Sequence, residues 1–168
     1  DYRRGKIRDH KRYLYPLSPK VEADLHELFM LTADGKTPSY TTFDVKGRAV
    51  TFPQTVNGML KTDFETLCAA ALGAEDYLTL CDTFDSLILS NIPALDDTRR
   101  NEVKRFITLI DTLYEKNILC FMSAQTAIEN LYTGRQYAFA FERTQSRILE
   151  MQSPQYPWKP GINLFFAG

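Results

Sequence analysis

Gly35-Lys36-Thr37, within "MLTADGKTPS", is the first place in the chain where residue types and order could grip a phosphate. A phosphate-binding loop of the form G-x-x-x-x-G-K-[ST] wraps successive backbone N–H groups around the anion and adds a lysine charge and a hydroxyl. In that pattern the first glycine stands at position 30, which Met30 occupies. The loop must also run into a helix whose N-terminus faces the anion. Here Pro38 and the β-favouring "SYTTFDV" follow instead, and Asp34-Gly35 is an ordinary turn signal. The triplet is expected to be a surface turn.

Other reactive side chains are sparse. No G-x-S-x-G elbow occurs, and His10 and His26 are the only general-base imidazoles. Cys68, Cys81 and Cys120 are widely spaced among apolar residues, which predicts free, buried thiols in a reducing compartment. Neither histidine stands at metal-ligand spacing from a cysteine, so no metal site is expected. No catalytic residue is assigned within this chain.

The remaining candidates are cationic or small and polar. Arg143 and Arg147, four apart near the start of a helix, face one way and could meet a phosphate or an acidic partner. Glu142 and Glu150 could equally neutralise them. Lys104 and Arg105, with Asp111 on the same helix, pose the same choice. Ser90, Asn91 and Ser123 fall at the predicted C-terminal ends of two parallel strands, where ligand crevices form in open sheets; small polar residues also simply end strands. The opening "DYRRGKIRDHKR" carries Arg3, Arg4, Lys6, Arg8, Lys11 and Arg12, and reads as a solvated arm or one docked on acidic surface. With Tyr2, Tyr13 and Tyr15 nearby, nucleic-acid contact is the weaker alternative, since net charge is only −1.

These residues must be positioned by a chain of 168 residues, 44% hydrophobic and 24% charged, enough for one domain with its own core. No apolar run approaches the ~20 residues of a membrane-crossing helix. The charged opening at Asp1 suggests a fragment or processed chain. "VEADLHELFMLT" has helical spacing, and "YTTFDVKGRAVTFPQTV" predicts a hairpin about Lys46-Gly47-Arg48, with Pro53 placing its second strand at an edge or ending it early. "GMLKTDF" reads as a further strand, and "FETLCAAALG" and "AEDYLTLCDT" as helices. "FDSLILSNIP", then "DDTRRNEVKRFITLIDTLYEKN" capped at Asp96, Asp97 or Thr98, then "ILCFMSA" predict strand, long helix, strand: a βαβ unit whose unalternating strands belong in a parallel sheet covered on both faces. "TAIENLYTG" reads as a short helix, "QYAFAFE" alternates like a strand, and "RTQSRILEMQS" closes the chain as a helix. The predicted class is α/β (or α+β): a C-terminal βαβ parallel core preceded by a segment bearing a β-hairpin.

"RRNEVKRFITLIDTLYEKN" (residues 99–117) and "RTQSRILEMQS" (residues 143–153) resemble the C-terminal signatures of the ZapE-type AAA+ P-loop ATPases, a bacterial cell-division family with mitochondrial relatives. "DYR" at Asp1 to Arg3, "DFETLC" at Asp63 to Cys68, "EDY" at Glu75 to Tyr77 and "IP" at Ile92-Pro93 fit in order and spacing. The resemblance runs to about Tyr156. It implies residues 1–62 as a basic arm, helix and hairpin, residues 63–156 as the α/β C-terminal region of the ATPase, and residues 157–168 as a tail of unassigned role. That family's P-loop, metal-binding strand and sensor strand lie upstream of "DYR", so the resemblance implies the C-terminal half of an ATPase, with ATP and Mg²⁺ as cofactors of the full-length parent and no intrinsic turnover here. It makes Arg3, Lys104, Arg105, Arg143 and Arg147 candidates for nucleotide sensing or partner binding. It implies remodelling of a protein partner (a tubulin-like division protein or membrane-complex subunits), self-assembly as a further expectation, membrane association only through partners, and a cytoplasmic or mitochondrial-matrix setting. The competing expectation is an interaction module that keeps this fold without the motor half.

Overall fold

The computed structural model describes residues 2–157; from Trp158 on, the expected tail lies outside the described residues. The chain runs α1 (Tyr2–Asp9), β1 (Tyr13–Leu14), α2 (Pro19–Ala33), β2 (Ser39–Val45), β3 (Arg48–Val56), β4 (Met59–Asp63), α3 (Ala74–Thr83), β5 (Ser86–Ile92), α4 (Arg100–Glu115), β6 (Leu119–Ala124) and α5 (Ala138–Met151). Short irregular turns of helix occupy Glu65–Ala69, Asp97–Arg99 and Ile128–Asn130. The strands form one sheet in the order β1-β6-β5-β4-β3-β2. β1, β6, β5 and β4 are mutually parallel; β4, β3 and β2 are antiparallel.

The parallel core follows from apolar strands that do not alternate. In β5, Leu87 and Leu89 enter one cluster with Phe106, Leu109 and Ile110 of α4, while Ile88 enters the other with Leu25, Leu28 and Phe29 of α2. Both faces of the sheet are therefore covered, as continuous Val/Ile/Leu-rich strands require. α4 buries Val103, Phe106, Leu109, Ile110 and Leu113, one stripe at helical spacing. Each such side chain contributes about 1.5–3 kcal/mol on leaving water. The Asp96 side chain accepts from the Thr98 N–H at 2.9 Å and starts the helical turn leading into α4.

Two tight turns build the hairpins. Lys46-Gly47 (φ 52° and 75°) joins β2 to β3, and Asn57-Gly58 (φ 47° and 80°) joins β3 to β4. Positive φ at both central residues matches the twist of the flanking strands.

Several expectations are corrected. Pro53 neither ends β3 nor lies on an edge strand: the β2–β3 register shifts between Ser39 and Thr41, and β4 pairs only with Thr55 and Val56. The proline sits at that irregularity, where no ladder N–H is missed. "FETLCAAALG" forms only the wide turn Glu65–Ala69, and "TAIENLYTG" only the turn Ile128–Asn130. The opening segment is not simply an arm but begins with α1, which buries Ile7 against α2.

The largest correction is "QYAFAFE", which is the start of α5 rather than a strand. Its aromatic alternation disguises a helical pair: Tyr137 packs against the core cluster and Phe141 is buried within it four residues later, while Phe139 between them is 90% exposed. Phe141 stacks on Phe106 at 6.1 Å and meets Tyr132 at 5.0 Å. The approach to α5 is fixed by Asp97, which accepts from the Tyr132 hydroxyl at 2.5 Å and the Arg135 N–H at 2.8 Å. A Cβ at Gly134 would land on that Asp97 carboxylate and the Tyr132 ring, so the close approach needs glycine.

Candidate functional site

Gly35-Lys36-Thr37 lies at the C-terminal end of α2. Asp34 is left-handed (φ 51°) and Gly35 follows at φ 83°, which closes the helix. Lys36 Nζ donates to Asn57 Oδ1 at 2.9 Å, and Asn57 Nδ2 donates to the Thr32 and Ala33 carbonyls at 2.9 and 3.2 Å. The lysine thus supports an amide that caps the last carbonyls of the helix. A helix C-terminus carries partial negative charge, the wrong sign for a phosphate. The triplet is a turn, as expected.

The strand-end candidates do come together. The Asn91 N–H donates to Ser123 Oγ at 2.9 Å where the β5–β6 register shifts between Leu89 and Ile92. Asn91 adopts φ 62° there. Ser90 and Ser123 are buried. Ser123 therefore serves the main chain at this irregularity, and only Asn91 of the three is exposed.

The arginines of α5 divide. Arg147 donates to Asp111 at 2.7 Å and Glu115 at 3.1 Å and lies over the Tyr114 ring at 4.6 Å, so it clasps α5 to α4. Its partners are on α4, not Glu142 or Glu150. Arg143 stands exposed one turn earlier, on the side that carries Phe139, which is 90% exposed. Arg3 pairs with Asp34, joining α1 to the end of α2.

Lys104 and Arg105 are the sequence candidates that share a concavity. With Asn101 and Thr108 they present one side of α4 (residues i, i+3, i+4, i+7) to a depression of about 350 Å³. Gly73, Ala74 and Tyr77 form its opposite wall at the start of α3. Arg105 Nη1 donates to the Cys68 carbonyl at 3.1 Å, which fixes the guanidinium at the back. The carboxylates nearby are engaged elsewhere: Asp76 takes both oxygens to Arg48 Nη2 at 2.7 and 2.8 Å, and Glu75 pairs with Lys46 at 3.1 Å. Asp76 also accepts from the Gly73 N–H at 2.8 Å. Beneath the depression, burial pushes the Cys68 thiol up to about 12 and raises the Tyr77 phenol, whose hydroxyl donates to the Leu67 carbonyl at 2.6 Å.

Sequence reasoning singled out Lys104 and Arg105 but not Gly73 or Asn101; the helical spacing from Asn101 to Thr108 was the available signal. It also missed Arg12, taken as part of the basic arm. Arg12 is 5% exposed and donates through Nη1 to the carbonyls of Met151, Ser153 and Tyr156 at 3.0, 3.0 and 2.8 Å, and through Nη2 to Arg8 at 3.1 Å. It closes the C-terminal end of α5 where carbonyls lack helical partners. Loss of hydration lowers its pKa to about 10, so it stays charged at neutral pH.

Residues 1–160 match the family of AFG1-like ATPases. This chain belongs to the AFG1-like ATPase family. Among relatives in that family, it is 31% identical to the cell division protein ZapE of Escherichia coli K12 over 156 residues, 93% of this chain and 42% of ZapE. It is 34% identical to an uncharacterized protein of Schizosaccharomyces pombe over 134 residues, 79% of this chain and 30% of that protein. With lactation elevated protein 1 homolog B of Danio rerio it shares 29% identity over 96% of this chain and 39% of that protein. The chain thus spans well under half the length of these AFG1-like relatives. No solved structure matches it.

The helix-covered, mostly parallel sheet agrees with a P-loop NTPase-type domain of an AFG1-like protein. The residues present do not fit ATP and Mg²⁺ as a catalytic pair: the sequence holds no G-x-x-x-x-G-K-[ST], and the described residues contain no cluster of three or more acidic, histidine or cysteine side chains placed to hold a metal. No described helix is long and apolar enough to cross a membrane.

Proposed function

We propose that this chain is the C-terminal region of an AFG1-like ATPase that couples ATP hydrolysis to remodelling of protein partners in the cytoplasm. In this reading the phosphoryl-transfer chemistry, with Mg²⁺ and a P-loop lysine stabilising charge, belongs to the rest of the protein. The region described here supplies surfaces that engage partners. The observation carrying the reading is the alignment itself: nearly all of this chain, 93%, corresponds to only 42% of ZapE, and the matching stretch contains no phosphate loop.

The outward face of α5 supports a partner-engaging role. Phe139 stands 90% exposed there, with Arg143 exposed one turn further along the same side of the helix. ZapE's name places that relative in cell division, which makes a tubulin-like division polymer the partner to test. Co-sedimentation of the 168-residue chain with such polymers should pellet the unaltered chain, and Phe139→Asp with Arg143→Glu should leave it in solution. Failure of the unaltered chain to pellet, or equal pelleting of the double variant, would remove α5 as the docking face for that partner.

A further inference from the structure

We propose that the depression between α3 and α4 is a phosphate-binding site, held by Lys104 and Arg105 with Asn101 and Thr108 beside them. The proposal stands independently of the ATPase reading, because it concerns binding by this chain's own residues.

Charge balance in the depression carries the argument. Lys104 and Arg105 line the depression without a carboxylate among its lining residues, and the adjoining depression, which shares Gly73, Ala74 and Arg105, holds Lys46 and Arg48 with Glu75 and Asp76. Glu75 takes Lys46, and Asp76 takes Arg48 through both oxygens. Arg105 meets a neutral acceptor, the Cys68 carbonyl, through Nη1 alone, so its charge is held in place without being cancelled. Lys104 reaches the same concavity from an exposed position on α4. Among the described residues neither Lys104 nor Arg105 is paired with a carboxylate, and both line one concave surface.

The groups beside them suit an oxyanion. A guanidinium pinned at one nitrogen keeps its remaining N–H fork oriented, which lowers the ordering cost of binding a planar or tetrahedral anion. The Asn101 amide adds donors on the same helical face. At about 350 Å³ the space is at the small end of ligand sites. Room remains at the wall: a Cβ on Gly73 would meet nothing within 4 Å. A phosphate ester or free phosphate fits this chemistry, and the two sources are separable by titration.

The test is amide NMR of the ¹⁵N-labelled 168-residue chain, titrated separately with sodium phosphate and ADP at constant ionic strength. Saturable shifts centred on Gly73, Ala74, Lys104 and Arg105 are expected with at least one probe. Equal affinity for both identifies phosphate as the recognised group, while tighter binding of ADP identifies a nucleotide. Lys104→Glu, and Gly73→Glu placing a carboxylate at the mouth, should each weaken binding at least about tenfold. Both sites border solvent, and the ligand-free spectra report whether each variant is folded. If Gly73→Glu is not, Lys104→Glu alone decides. Absence of saturable shifts with either probe, or unchanged affinity in folded Lys104→Glu, would overturn the assignment.

Discussion

Arg12 of the basic opening segment and Lys104 of α4 are both cations, yet one is enclosed at the end of α5 and the other stands over the open depression between α3 and α4. Arg12 meets four carbonyl oxygens, and its donors are spent on the fold. Lys36 resembles Arg12 at smaller scale, serving the end of α2 through Asn57. Lys104 and Arg105 converge on a cavity whose neighbouring carboxylates are already paired. A cation's role here depends less on the motif around it than on whether local acceptors consume it.

The largest test of this contrast is Arg12→Ala. It leaves helix-end carbonyls in a dry site without their shared donor, and hydrogen bonds to a charged group are worth about 1.5–3 kcal/mol. A loss of about 3 kcal/mol in urea unfolding is expected, equivalent to a melting point lower by roughly 6–12 °C for a chain of this size. A change under about 0.5 kcal/mol would place Arg12 with the dispensable surface cations.

The thiols of Cys68 and Cys81 give a smaller, pH-dependent test. Burial holds the Cys68 and Cys81 thiols protonated up to about 12, against 9.0 for a free thiol. A raised folded-state pKa contributes stability that is complete below the unfolded value and lost as pH rises toward the folded one. Unfolding free energy should therefore be insensitive to these thiols below pH 9 and decline between about pH 9 and 12. The slope approaches about 1.4 kcal/mol per pH unit for each thiol. Replacing both cysteines with alanine should flatten that decline; an unchanged slope would show that the thiols are already accessible in the folded chain.

Much of the fold was legible in the sequence. β5, α4 and β6 announce themselves because their apolar residues bear directly on the core: two unalternating runs and one stripe at helical spacing. Gly47 and Asn57-Gly58 declared their turns because glycine and asparagine accept positive φ readily, and Lys46 is carried into it (φ 52°) by the turn. What escaped detection depended on contacts distant in sequence. α1 buries Ile7 alone, too little for a periodic signal. Arg12 finds three of its four carbonyls more than 130 residues away. "QYAFAFE" presented a strand-like alternation because one aromatic of its three, Phe139, faces solvent from a helix. The candidate site was half legible: Lys104 and Arg105 could be named from one helix, but their wall, Gly73 and Ala74, lies on another, and only the pairing of Glu75 and Asp76 elsewhere reveals that neither charge is paired with a carboxylate among the described residues.

The same contrast returns to Gly35-Lys36-Thr37, the triplet that most resembles nucleotide machinery and sits at the wrong end of a helix for it. The direct test is steady-state ATP hydrolysis by the purified 168-residue chain with Mg²⁺, measured beside Lys36→Ala. Neither protein should turn over ATP above a protein-free blank, and Lys36→Ala should alter stability by no more than about 0.5 kcal/mol. Turnover by the unaltered chain that Lys36→Ala abolishes would contradict the account.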